Sequence, residues 1–141
     1  KIETHKAGYD EAILLNEQGL VADGSGENIF VVKNGAIMTP PISASILEGI
    51  TRNSIMEIAG AAGYTVVERD LARAELYTAD EIFVTGTAAE VCPIREVDDH
   101  LIGDPGPITR DLQARFDAVI HGRDPQFTHW LDYVGSDARA R

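Results

Sequence analysis

The interpretation of this sequence depends most on residues 21–52, VADGSGENIFVVKNGAIMTPPISASILEGITR. The stretch begins with a carboxylate in a Gly/Ser-rich turn at residues 23–28 and continues through two predicted strands, residues 29–33 and Ala36–Thr39. It ends at a predicted helix start, where the first backbone N–H groups after Gly49 would be free to bind an anion. A carboxylate, a hairpin and an anion-binding helix start in one span indicate a cofactor site.

The residues around this stretch predict hairpins with helices between them. Apolar runs at residues 12–15 and 20–22 are separated by a turn that ends in Gly, which predicts a first hairpin. Asn34-Gly35 is the strongest short hairpin signal and joins the next two strands. Ser45 and Glu48 match a capping box, which predicts a helix from there to about Ala62.

The remaining chain alternates short strands and helices. We predict strands at residues 64–68, 82–84 and 91–97, helices at residues 71–77, 106–120 and 126–134, and a helix end before Gly8. Because the chain opens at a helix end and without Met, we expect it to be a piece of a longer protein. These elements predict one mixed α/β (α+β) domain over residues 1–134 and a disordered tail over residues 135–141.

Composition excludes some classes of partner. The net charge is −11, which argues against nucleic acid and against anionic membrane surfaces, because both require clustered Lys and Arg. The sequence contains no apolar run of about 18 residues. Cys92 is the single cysteine and is expected to be buried; without a disulfide, the reducing cytoplasm is the expected compartment.

A second loop with anion-binding character is Thr85-Gly86-Thr87-Ala88, which follows a predicted strand and offers two hydroxyls. Taken alone, this loop is more simply interpreted as an ordinary strand-end turn. In the same way, the helix start near Gly49 is more simply interpreted as an ordinary cap. The turn that Asp23 opens is likewise either a plain hairpin loop or a carboxylate held against a cationic ligand atom. It lacks the third Gly of a dinucleotide fingerprint and the flanking glycines of a nucleophile elbow.

The four histidines lack the spacing of metal ligands, and we interpret them as surface residues; they are His5, His100, His121 and His129. No metal is therefore expected. Trp130 is expected to be a core or interface anchor rather than part of a site.

Several motifs in one order give the sequence a family resemblance. ADGSGENIF, TPP, LEGITR, ADEIFVTGTAAEVCPI and WLDYV together resemble the C-terminal half of branched-chain amino acid aminotransferases. These are class IV, fold-type IV enzymes that use pyridoxal 5′-phosphate (PLP). The resemblance implies the C-terminal large, PLP-binding domain and a transfer of the amino group between leucine, isoleucine or valine and 2-oxoglutarate. It also implies a homodimer or higher homo-oligomer.

The resemblance also implies roles for individual residues. The phosphate of the cofactor would be held at Ile50 and Thr51 and at Gly86 and Thr87. The N–H groups of Thr87 and Ala88 would face the carboxylate of the substrate. Asp23 would bond the pyridine nitrogen and keep it protonated, so that the ring can accept electrons.

Two features depart from the family pattern. The family has Glu at the position of Asp23, and Asp is one methylene shorter. The Schiff-base lysine of the family is expected upstream of this chain, and none of Lys1, Lys6 and Lys33 matches it. No catalytic residue is therefore assigned within the chain, and residues 1–141 alone are expected to be inactive.

Three other functions remain open. D-amino acid aminotransferase and aminodeoxychorismate lyase share the same general plan, although GTAAE and WLDYV favour the branched-chain type. A non-catalytic binding module with this fold is the third alternative, because fold does not fix function.

Overall fold

The computed structural model describes residues 2–134, so the tail predicted at residues 135–141 lies outside the described residues. The strands are β1 Ile13–Leu15, β2 Val21–Gly24, β3 Asn28–Lys33, β4 Ala36–Thr39, β5 Thr65–Glu68, β6 Glu81–Gly86, β7 Glu90–Ile94, β8 Glu96–Val97 and β9 His100–Leu101. The helices are α1 Ile2–Lys6, α2 Ile50–Ala61, α3 Arg73–Tyr77 and α4 Pro107–Ile120, with 3₁₀ helices at Ile42–Ala44 and Pro125–Trp130.

Seven of the strands form one mixed sheet around β3. Strand β3 pairs antiparallel with β4 on one side and with β6 on the other, and β7 continues the sheet beyond β6. Helix α2 connects β4 to β5, which pair in parallel. The hairpin of β1 and β2 joins the sheet through β2, where Asp23 pairs with Asn28 of β3. The start of α2 therefore lies near the turn that Asp23 opens.

Both faces of this sheet are covered, because side chains of the central strands alternate between two apolar clusters. Phe30 and Phe83 point to the face that carries α2 and α4, and their rings stack with centroids 4.9 Å apart. Val31 and Ile82 point to the opposite face, towards α3. The mixed α/β fold predicted from the sequence is confirmed.

Several local predictions are confirmed. The turn at Asn34 and Gly35 has φ of 50° and 77°, as a type I′ hairpin turn requires. Strand β4 has the predicted bounds, and the short helix α1 ends before Gly8, which has φ of 90°. Pro107 occupies the first turn of α4. In these places the local sequence and the tertiary structure favour the same conformation.

The predicted capping box is wrong. Ser45 has φ of 68° and ends the 3₁₀ helix at Ile42–Ala44, and α2 begins only at Ile50, with Gly49 at its N-cap. Long-range hydrogen bonds explain the difference. Asn28 Nδ2 donates to Leu47 O (2.7 Å), and Leu47 N donates to Asp23 Oδ2 (2.9 Å). Leu47 is thereby held in a segment that lies before the helix.

Two further elements differ from the predictions. The strand predicted at residues 91–97 is interrupted at Arg95, whose carbonyl accepts hydrogen bonds from Ile102 and Gly103 of the returning chain. The last helix is a 3₁₀ helix, Pro125–Trp130, and residues 131–134 are not helical.

Cys92 is exposed rather than buried. Its neighbour Val91 takes the core-facing position of β7, so strand alternation turns Cys92 outwards. The four histidines are exposed, as predicted, and Trp130 packs against the core beside Phe127.

Candidate functional site

One cavity of about 510 Å³ brings together the turn that Asp23 opens, the start of α2 and the end of β6. Five of the predicted site residues line this cavity, namely Asp23, Ile50, Thr51, Gly86 and Thr87. Ala88 lies in the same turn as Thr87 but does not line the cavity. Residues more than 60 positions apart in the sequence thus contribute to a single concave site.

The Asp23 carboxylate is half-buried and is held by its own chain. Oδ1 accepts a hydrogen bond from Asn28 Nδ2 (2.9 Å), and Oδ2 accepts one from the backbone N–H of Leu47 (2.9 Å). Each carboxylate oxygen has a second lone pair, so both bonds leave acceptor capacity for a ligand in the cavity. Asp23 is thus fixed in position before any ligand binds.

Burial raises the pKa of Asp23 above its ordinary value. The hydrogen bonds from Leu47 and Asn28 and the positive charge of Arg52 act in the opposite direction but do not outweigh burial. A cationic ligand atom beside Asp23 would oppose the effect of burial and favour the ionised carboxylate, because opposite charges at close range stabilise one another.

Asn28 is a site residue that the sequence did not reveal. Its side chain is 5% exposed, and its amide nitrogen donates both to Asp23 Oδ1 and to Leu47 O. Its Oδ1 lies so close to Gly49 that a Cβ at that position would overlap it. Asn28 therefore joins the hairpin turn to the segment before α2. Leu47 and Gly49 lie 19 and 21 residues further along the chain, and no local pattern predicts contacts with them.

The start of α2 faces this cavity without a capping side chain. Gly49 at the N-cap cannot supply a side-chain acceptor, so the first N–H groups of the helix are available to an anion. Thr51 is 8% exposed and Ile50 is 85% exposed, and both line the cavity. The prediction that an anion can bind here stays a prediction, but the required free donors are present.

The end of β6 supplies a further part of the wall, beside the turn that Asp23 opens. A Cβ at Gly86 would contact Glu27 Cγ at 3.4 Å and Gly26 O at 3.5 Å, so this strand end approaches the turn opened by Asp23 closely. Thr87 lies beyond it, exposed in the loop before β7. A methyl group at position 86 would make ordinary van der Waals contact with this turn.

Cationic side chains are missing from the lining of the cavity among the described residues. Lys33 lies elsewhere and bonds Thr78 and Asp80, and Lys6 is exposed on α1. Arg52 is 2% exposed and is directed towards Pro40 O (3.0 Å) and Glu68 Oε1 (2.6 Å). The donors that the described residues offer to an anion in the cavity are backbone N–H groups and uncharged side chains.

Two negative observations concern the described residues 2–134. No helix there is both long enough and apolar enough to cross a membrane. No three side chains of His, Cys, Asp or Glu there are grouped so that they could hold a metal ion.

Comparison with known proteins defines the class. A sequence model of the family "Amino-transferase class IV" matches residues 1–97 of this chain, so the chain belongs to that family. A probable branched-chain-amino-acid aminotransferase from Aquifex aeolicus is 52% identical over 137 residues, which are 95% of this chain and 44% of the relative. The chain spans less than half the length of the curated relatives it matches.

Solved structures give the same result for the fold. The branched-chain aminotransferase of Thermoproteus uzoniensis, determined with norvaline, superposes with a TM-score of 0.91 at 46% identity, over 93% of this chain and 44% of the other. The branched-chain amino acid aminotransferase of Thermobaculum terrenum, in its PLP form, superposes with a TM-score of 0.93 at 43% identity, over 96% and 45%. The chain thus has the fold of fold-type IV aminotransferases, as predicted.

Proposed function

We propose that residues 1–134 are the PLP-binding part of an aminotransferase that moves the amino group between leucine, isoleucine or valine and 2-oxoglutarate. The main support for this proposal is that Asp23, the start of α2 and the end of β6 line the same cavity. The names of relatives at 42–52% identity support the branched-chain substrate class. Norvaline, bound to the Thermoproteus uzoniensis enzyme, is an aliphatic amino acid of similar size.

The donor set of the cavity fits pyridoxal phosphate. Free N–H groups at the start of α2, with Thr51, suit a phosphate, and Gly86 and Thr87 add donors from the end of β6. Asp23 is the acceptor that suits a protonated ring nitrogen. We propose Asp23, Ile50, Thr51, Gly86 and Thr87 as cofactor ligands, with N–H groups of Thr87 and Ala88 for the substrate carboxylate.

The bound cofactor would supply an electron sink for the carbanion formed at the Cα of the substrate. Asp23 serves this chemistry by holding a proton on the ring nitrogen, and the hydrogen bonds from Asn28 and Leu47 fix its orientation. The uncapped start of α2 would hold the phosphate end, so that the two sites together would orient the ring. Positioning of this kind lowers the barrier because the reacting groups are held in place beforehand.

Three parts of the proposal concern the intact protein. The lysine that binds the cofactor covalently is proposed upstream of Lys1, as the family resemblance implies. We propose a homodimer or higher homo-oligomer and a cytoplasmic location, the latter supported by the single cysteine.

The activity is tested by incubating the full-length protein and PLP with 2-oxoglutarate and one amino donor at a time. We expect glutamate to form with leucine, isoleucine and valine and not with D-alanine. Activity only with D-alanine would favour a D-amino acid aminotransferase. Pyruvate release from aminodeoxychorismate would favour the lyase. Cofactor binding with none of these activities would favour a binding module.

The roles of the residues are separable by two measurements on variants of the full-length protein. Asp23→Asn should lower kcat on the order of 10²-fold, the loss typical when a group that stabilises developing charge is removed, and leave PLP largely bound. Thr51→Ala and Thr87→Ala should instead weaken PLP retention roughly tenfold or more, since each removes one charge-assisted hydrogen bond. Turnover and the PLP remaining after dialysis distinguish the two cases.

Thr128→Ala is the matched control, because Thr128 is exposed on the 3₁₀ helix Pro125–Trp130 and lies outside the cavity lining. It should change neither turnover nor PLP retention. Unchanged turnover in Asp23→Asn with PLP bound would reject the ring-nitrogen role. Unchanged retention in both threonine variants would reject the phosphate site.

A further inference from the structure

Thr85, the last residue but one of β6, has a buried hydroxyl without a partner. The residue is 1% exposed, and its Oγ1 has no hydrogen-bond partner among residues 2–134. Leaving a buried hydroxyl unpaired costs roughly 1–3 kcal/mol, so such groups are rare in folded proteins. Thr85 nevertheless lines the cavity of Asp23 and Thr51.

The register of the sheet shows where this hydroxyl lies. Thr85 pairs directly with Asn28 on β3 and with Val91 on β7, and directly opposed residues point to the same face. Val91 belongs to the cluster beneath α2 and α4, so Thr85 points to that face as well. Asn28 in turn contacts Gly49, the N-cap of α2. The hydroxyl of Thr85 therefore lies on the sheet face from which α2 begins.

The two threonines that are 0% exposed do have partners. Thr39 is 0% exposed, and its Oγ1 donates to Ile29 O at 2.8 Å. Thr109 is also 0% exposed, and its Oγ1 donates to Glu81 Oε2 at 2.6 Å. Thr85 differs from these two equally buried threonines in that its hydroxyl has no partner within the chain described and that it lines the cavity.

We propose that the Thr85 hydroxyl is a further ligand of the cofactor phosphate and donates a hydrogen bond to it from the floor of the cavity. The proposal rests on the proposed function, which makes this cavity the phosphate site. It would give the buried Thr85 hydroxyl the partner that it lacks among the described residues. A dianionic phosphate is the ligand that gains most from such a neutral donor, because the cavity lining offers no cationic side chain among the described residues.

Thr85→Val tests the proposal because it removes the hydroxyl and keeps the shape of the side chain. The probes are pyridoxamine 5′-phosphate, which forms no covalent bond with a lysine, and pyridoxamine, which lacks the phosphate. We expect the full-length Thr85→Val protein to bind pyridoxamine 5′-phosphate roughly tenfold to hundredfold more weakly, the effect of one charge-assisted hydrogen bond. Its affinity for pyridoxamine should equal that of the wild type, and Thr85→Ser should restore the phosphate-dependent affinity.

Thr39→Val is the matched control in the cofactor-free protein. It removes a satisfied buried hydroxyl and should lower the melting temperature, whereas Thr85→Val removes an unsatisfied one and should not. Equal affinity of wild type and Thr85→Val for pyridoxamine 5′-phosphate overturns the proposal, as does equal weakening of both probes. A wild type that binds neither probe overturns the proposed function as well.

Discussion

Asp23 shows how one side chain can serve the fold and the site together. Its oxygens accept hydrogen bonds from Asn28 and from the N–H of Leu47, and these bonds join the hairpin turn to the segment before α2. The carboxylate was recognised from the sequence because it opens a Gly/Ser-rich turn within a family motif. The sequence does not reveal Leu47 as a donor to this carboxylate, because Leu47 lies 24 residues away and only the folded chain brings it close.

The raised pKa of Asp23 predicts a pH dependence of stability. Because burial raises the folded-state pKa above the ordinary 3.8, its contribution to stability is full below 3.8 and is lost as the pH rises through the folded-state pKa. Asp23→Asn stays neutral, so it should lack this loss. Urea denaturation of the cofactor-free full-length protein over a series of pH values measures the difference.

Asp80→Asn is the control of opposite sign. The N–H of Asn34 and the ammonium group of Lys33 lower the pKa of Asp80, so the contribution of Asp80 is present above 3.8 and is lost as the pH falls. If Asp23→Asn and the wild type show parallel stability curves at all pH values, the raised pKa of Asp23 is wrong.

At the level of elements, the start of α2 depends on tertiary contacts more than on local sequence. Ser45 and Glu48 have the spacing of a capping box, yet Leu47 is bound by Asp23 and Asn28 and the helix begins at Ile50. The consequence is functional, because a side-chain cap would occupy the N–H groups that an anion needs. The hairpin at Asn34 and Gly35 was predictable because its turn geometry is encoded in two adjacent residues.

Alanine substitutions at two glycines, Gly49 and Gly60, should have different effects on PLP retention and on stability. A Cβ at Gly49 would overlap Asn28 Oδ1, so Gly49→Ala should displace the Asn28 amide and weaken PLP retention by about tenfold, the loss of one hydrogen-bonded contact. Gly60 lies inside α2 with no atom within 4 Å of its Cβ position. Gly60→Ala should raise stability by about 0.5–1 kcal/mol and leave PLP retention unchanged. Dialysis and thermal unfolding of both variants check this, and equal retention by both would show that Asn28 is not displaced.

At the level of the whole molecule, a central sheet with apolar clusters on both faces carries the site at one end. Phe30 and Phe83 stack in the middle of the helix-facing cluster and are fully buried. The same two strands continue to Asn28 and Thr85, which line the cavity. The geometry of the site therefore depends on the packing of the core beneath it.

Phe83→Ala should lower the free energy of unfolding by about 3–5 kcal/mol, as expected for removing a buried aromatic side chain. Because Phe83 lies two positions before Thr85 on the same face, cofactor retention should fall with it. Leu101→Ala is the control, since Leu101 is 75% exposed on β9 and should change stability by less than about 0.5 kcal/mol. Chemical denaturation measures both. A loss below about 1 kcal/mol in Phe83→Ala would contradict the central position of this residue in the core.

The sequence by itself determined the class of fold and most of the strands, and it predicted two segments that could bind an anion. Alternation of apolar residues, Gly and Asn at turns and free N–H groups at a helix start are local properties, and local sequence encodes them. Only the tertiary structure decided that Asp23, Thr51 and Thr87 line one cavity. It also decided where α2 begins, that Asn28 binds Asp23 and that the Thr85 hydroxyl is left unpaired. These features depend on contacts between residues distant in the chain, and such contacts form only when the strands pair and the helices pack against them.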